Sequence, residues 1–119
     1  MIFDQAHMGD EGSQLIQKAR KEAVDMMNKG VLLWKTGQLD DAVAWMRTAR
    51  AALPDNLRIL FNSAQIIISH LRQHGYDQAL SDEAAAVLLH VDRIAPAQQR
   101  FAQLMGQLAA LTPTTEPAD

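Results

Sequence analysis

Residues 23–56 read AVDMMNKGVLLWKTGQLDDAVAWMRTARAALPDN, and the fold turns on this stretch. Its apolar residues recur at spacings of three and four, the pattern of one face of a helix rather than of a half-buried strand. Gly37 divides the stretch. A helix running to about Thr36 can end there, because glycine takes the left-handed backbone conformation at little cost. A second helix is expected over about 39–53, with Leu39, Ala42, Val43, Met46, Ala49 and Leu53 on its buried stripe. Pro54-Asp55-Asn56 stops it. So short a connection makes the two helices antiparallel neighbours. Gly30 and Ala42 are small enough for the helices to cross closely, and Met26, Leu33 and Met46 fill the space on either side.

The same spacings return further along the chain. Met26, Lys29, Gly30 and Leu33 are matched by Leu60, Ser63, Ala64 and Ile67. Ala42, Met46, Ala49 and Pro54 are matched by Ala84, Leu88, Val91 and Pro96. The second copy has eight more residues between its halves, around Ser69 to Leu80, which a longer first helix and a longer turn would absorb. A register anchored on Gly75 and Ala79 shortens the insertion but loses the later matches. Internal similarity at this period signals stacked helical hairpins.

The unit resembles the tetratricopeptide repeat. That family places large residues where Met26, Leu33 and Met46 stand, small ones at Gly30, Ala42 and Ala49, and Pro at Pro54. The departure is Lys29, where the family has Leu. The resemblance implies an all-α fold, a right-handed superhelix of antiparallel helix hairpins with about five helices. Its units are 23–56 and 57–98, followed by a helix at 97–111 that resembles half a unit and would cap the open end of the stack. The run Met27 to Leu33 and the tetrad His74-Gly75-Tyr76-Asp77 are also similar to the C-terminal repeat domain of some bacterial two-component response regulators. In those proteins a receiver domain precedes the repeats. None is read in these residues, so the expectation is a piece of a longer signalling protein.

In this family the first helix of each pair lines the concave, partner-binding face. The matching positions here are Val24, Met27, Asn28, Val31, Trp34 and Lys35, then Arg58, Phe61, Asn62, Gln65, Ile68 and Ser69. The partner-binding set expected from them is Met27, Asn28, Val31, Lys35, Arg58, Phe61, Asn62, Gln65 and Ser69. Asn28 and Asn62 occupy equivalent places, where an amide can pair with the backbone of a peptide. Some members grip a terminal carboxylate with a Lys and an Asn, but those places hold Met27 and Val31. An apolar peptide or amphipathic helix is the expected partner.

Around the repeats, residues 1–12 read as a flexible lead-in, Ser13 as a helix cap and the Pro-containing tail 112–119 as disordered. The third helix is expected over about 57–74, with a fourth from between Gln78 and Asp82 to before Pro96. The exposed apolar length of the first helix, Leu15, Ile16, Ala19 and Val24, raises the alternative of a homodimer or scaffold.

Composition narrows the functions. The 119 residues carry 11 Lys and Arg against 14 Asp and Glu, a net charge of −3. A nucleic-acid partner is therefore not expected, because displacing counterions from phosphates needs an excess of cations. No cysteine is present, which excludes disulfides, thiolate metal sites and a cysteine nucleophile. The N-terminus has no basic start leading into an apolar run, and Ile66-Ile67-Ile68 is soon interrupted by Ser69, His70 and Arg72. Neither a signal peptide nor a membrane span is expected, and a cytoplasmic location is the default.

Nothing assembles an enzyme. The serines lack a nucleophile elbow and the glycines form no phosphate loop. His70 and His74 stand at metal-sharing spacing, but no third ligand follows, so they read as helix-end residues, and no cofactor is expected. Asp40-Asp41 and Asp82-Glu83 read as acids in the first turn of their helices, offsetting the positive end. Trp34 and Trp45 read as partly buried with the N–H near water, and His90 as an exposed or hydrogen-bonded residue.

Overall fold

Local chemistry at the helix ends divides the chain. Gly37 and Gly75 take φ of +83° and +96°, so two of the four helix–helix turns, 36–38 and 75–77, use a glycine with positive φ. The Asn56 side chain accepts from the Ile59 N–H at 3.1 Å, and Asp77 accepts from Leu80 at 3.0 Å, each satisfying a donor in a first helical turn. A computed structural model of the chain describes the backbone of residues 2–113 and the side chains of residues 15–113. It contains α1 (Ile2–Lys35), α2 (Leu39–Ala52), α3 (Leu57–His74), α4 (Gln78–Ile94) and α5 (Gln99–Leu111), with no strand among the described residues. The fold is all-α, as the apolar spacing predicts.

The helices form two layers. α1, α3 and α5 lie side by side in one, since α3 touches both α1 and α5. α2 packs against α1 and α3, and α4 against α3 and α5, making the second layer. The core runs between the layers, from Ala23 and Met27 through Ile59, Ile67 and Leu88 to Leu104 and Leu108.

The small residues sit where close crossing requires them. Gly30 is buried, and a Cβ built on it would lie 2.7 Å from Met46 Sδ and 3.3 Å from the Ala42 carbonyl oxygen. Ala42, Ala64 and Ala84 are each 0% exposed. Burial of Ala84 beside an exposed Ala79 favours the register that pairs Ala42 with Ala84. The extra residues of the second hairpin lie in its helices rather than its turn. Both turns have three residues, 36–38 and 75–77. α3 runs past Ser69, the counterpart of Lys35, to His74, and α4 begins six residues before Ala84, where α2 begins three before Ala42.

Three boundaries differ from the sequence reading. Residues 2–12, expected to be a lead-in, belong to α1, and Ser13 lies within that helix rather than capping it. At about 1.5 Å per residue, so long a helix outruns α2, and only from Ala23 does α1 enter the core. Leu15 and Ile16, ahead of that point, are 68% and 62% exposed. Next, Asp82 and Glu83 lie beyond the first turn of α4, because Asp77 caps that helix earlier. Last, Ala97 adopts a left-handed φ of +67°, so α5 begins at Gln99 instead of Ala97. Residues 114–119 of the expected disordered tail lie outside the described residues. No helix among the described residues is long and apolar enough to cross a membrane.

Candidate functional site

Side chains stitch α1, α3 and α5 together along their shared face. The Trp34 indole N–H donates to Ser69 Oγ at 3.0 Å, and that hydroxyl donates to the Gln65 carbonyl at 3.0 Å. Asn62 Nδ2 donates to Met27 Sδ at 3.3 Å. Arg100 Nη2 donates to Asn62 Oδ1 at 3.3 Å, and its guanidinium lies 5.2 Å from the centre of the Phe61 ring. Arg72 reaches from α3 to Gln107 Oε1 on α5 at 3.1 Å. Three of these pairs are 35 residues apart, close to the length of one hairpin, so like positions of successive helices meet.

This stitching decides which expected binding residues are free. Met27 and Phe61 are 1% and 6% exposed. Met27 is enclosed between α1 and α3 beneath Asn62, and Phe61 lies under Arg100, so neither faces a ligand. Ile68 is fully buried as well. Asn28, Lys35 and Arg58 are exposed, while Val31, Asn62, Gln65 and Ser69 are half-buried. Arg58, Asn62, Gln65, Ser69 and Arg72 follow one another at spacings of four and three, a continuous stripe along α3. Trp34 and Ser69 wall an open cavity of about 430 Å³ with Lys35, Leu39, Arg72 and Gln73. The Trp34 N–H therefore turns to Ser69 rather than to water. Trp45, half-buried on α2, carries the Lys29 ammonium 4.5 Å from its ring centre. That contact gives a place to the lysine that departs from the repeat pattern.

Sequence reading missed Arg72, Arg100 and Gln107. One signal was available: neither α3 nor α5 contains an Asp or Glu, so a basic residue on either is uncompensated along its own helix.

The opposite layer has its own polar link. Glu83 of α4 receives Arg47 at 2.7 Å and also Arg50, both from α2, across a cavity of about 530 Å³ walled by Ala51, Leu60 and Val87. Burial pushes the Glu83 carboxyl up, but hydrogen bonds from Arg47 and Arg50 and their positive charge hold it below the ordinary carboxylate range. A carboxyl lowered in this way stabilises the fold fully above the unfolded-state value of about 4.3, and the stabilisation is lost as pH falls through the folded value. Glu83→Gln is expected to lower stability by about 2 kcal/mol at neutral pH and to flatten the acid limb of stability against pH. Urea titrations between neutral and acid pH measure both effects.

Two histidines make long-range contacts: His70 Nε2 of α3 lies 2.7 Å from Asp40 Oδ1 in the first turn of α2, and His90 Nε2 of α4 lies 2.7 Å from Asp55 Oδ1 in the α2–α3 turn. The His70 hydrogen bond, with its nearby charge, lowers the Asp40 carboxyl. His70 and His74 approach with ring centres 4.7 Å apart, and no group of three or more His, Asp or Glu suited to a metal forms among the described residues. In comparisons with known proteins the chain matches no family model, no curated protein and no solved structure.

Proposed function

We propose that the chain is a protein-interaction module of tetratricopeptide type that receives a peptide or helix of a partner on the face of α1, α3 and α5. What supports this most is the α3 stripe of Arg58, Asn62, Gln65, Ser69 and Arg72, flanked by Asn28, Val31 and Lys35 of α1, in a layer whose helices are already locked to one another. Such a surface binds without reorganising, and its amides offer donors and acceptors to a peptide backbone. The likeness of residues 27–33 and 74–77 to regulator repeat domains favours a role in bacterial signal transduction. Catalysis is not part of the proposal.

The test is a peptide selected by phage display on the immobilised protein and titrated into the isotope-labelled chain. Amide shifts are expected to concentrate on residues 28–35 and 58–72. Val31→Glu combined with Asn62→Ala is expected to weaken that peptide about tenfold with unchanged helicity. Shifts centred on α2 and α4, or unaltered affinity, would place the binding surface elsewhere.

A second reading has its own observation. The stripe that α1 buries from Ala23 onward continues as exposed Leu15, Ile16 and Ala19. A second copy of the chain covering it would make a homodimer, with α1 as the scaffold. Light scattering decides this one: the dimer requires twice 13.2 kDa, and a monomer at high concentration contradicts it.

A further inference from the structure

Charge is unevenly divided between the two layers. The part of α1 within the body (residues 23–35), together with α3 and α5, carries Asp25 against Lys29, Lys35, Arg58, Arg72 and Arg100. α2 and α4 carry Asp40, Asp41, Asp82, Glu83 and Asp92 against Arg47, Arg50 and Arg93. The chain as a whole is acidic, with a net charge of −3, so its cations are concentrated rather than merely abundant.

The cations of the two layers also differ in how they are used. Arg47 and Arg50 are neutralised by Glu83. Arg72 and Arg100 are held by neutral amides, Gln107 and Asn62, which fix their direction without cancelling their charge. Lys35 and Arg58 are exposed, and no ion pair engages any of these four among the described residues. Burial of Met27, Phe61 and Ile68 takes three apolar side chains off the same face and leaves Val31 and Trp34 half-buried on it. The polar groups that remain are cationic and amide, with no carboxylate among them. Lys35 and Arg72 meet at the open cavity beside Trp34, which has room for a side chain.

We infer that the segment bound on this face is acidic, an Asp- or Glu-rich polypeptide stretch rather than the apolar one its buried residues suggest. The inference rests on the proposed binding face and names the chemistry of its occupant. Asn62 and Gln65, interleaved with the cations, suit a peptide backbone. A long polyanion such as DNA is the poorer fit, because four cations release few counterions.

Three fluorescent peptides of about 16 residues, sharing one Leu and Ala pattern and filled out with Glu, Gln or Lys, test it by anisotropy beside an oligothymidine of equal length. The Glu peptide is expected to bind about tenfold tighter than the Gln peptide at low salt and to lose about tenfold on raising salt to about 300 mM. Lys35→Glu with Arg58→Glu is expected to remove the preference, while Arg93→Glu on α4 leaves it intact. Equal binding of the Glu and Gln peptides, or none by the Glu peptide while the phage-selected peptide still binds this face, overturns the acidic occupant alone. A Glu preference abolished by Arg93→Glu but not by the double reversal overturns the face itself. Tighter binding of the oligothymidine overturns a polypeptide occupant.

Discussion

Gly30→Leu is expected to cost about 3 kcal/mol and to loosen the α1–α2 hairpin, whereas Gly30→Ala is expected to be close to neutral. The contrast comes from what surrounds the site. A Cβ at residue 30 would stand 2.7 Å from Met46 Sδ, the mobile end of a flexible side chain, and 3.3 Å from the Ala42 carbonyl oxygen. A single methyl is therefore accommodated by a shift of Met46. Its cost is offset by the helix propensity gained on replacing glycine, about 1 kcal/mol. Leucine adds a branched group beyond that Cβ. Met46 is 1% exposed, so a shift of its flexible end that makes room for one methyl does not make room for a whole isobutyl group, and the Ala42 carbonyl is held by the α2 backbone. The helices must then move apart, which uncovers Met27 and Ala49 as well. Urea unfolding followed by circular dichroism measures both variants. A Gly30→Leu protein as stable as the parent would mean that the hairpin does not depend on close approach at this point.

The other large effect is at the opposite end of the stack. Leu104→Ala is expected to cost about 3 kcal/mol, because Leu104 is 1% exposed and its loss leaves a cavity between α5 and the helices beneath it. α5 touches α3 and α4 but neither α1 nor α2. The loss should therefore be local before it is global. Hydrogen exchange of Leu104→Ala is expected to show amides of α5 opening first, those of α4 next, and those of α2 last. This order is what an end cap produces in a stack whose units contact only their neighbours. Loss of protection in α2 as early as in α5 would show the domain to be one cooperative block.

Most of the fold was legible because it rests on small residues at fixed intervals. Gly30, Ala42, Ala64 and Ala84 are readable in sequence, and all four are buried where helices meet. Turns were readable through Gly37, Asn56 and Gly75, each acting by local backbone chemistry. The N-terminal extent of α1 was not readable. Asp4, Gly9, Asp10 and Gly12 lower helix propensity there, and propensity is a weak guide against the continuation of an established helix. The start of α5 was missed because the left-handed turn at Ala97 uses a residue with no marked preference for it.

Of the residues expected to bind a partner, Met27 and Phe61 are buried and the others keep some exposure. Periodicity puts Met27, Asn28, Phe61 and Asn62 on neighbouring positions, but it does not say how deeply neighbouring helices interlock. Met27 accepts a bond from Asn62, and Phe61 is roofed by Arg100 from 39 residues away. Contacts at such separation carry no local signature. The cationic character of the face emerged only once Arg72 and Arg100 could be placed beside Lys35 and Arg58.

The close approach of α1 and α2 at Gly30 can be read directly in solution. With glycine and the methionine methyls labelled, nuclear Overhauser spectra of the full chain should connect Gly30 Hα to the Met46 side chain strongly, and Asn62 to Met27 across α1 and α3. Absence of the Gly30–Met46 cross-peak, with both resonances assigned and sharp, would contradict the two-layer stack on which the proposed binding face is built.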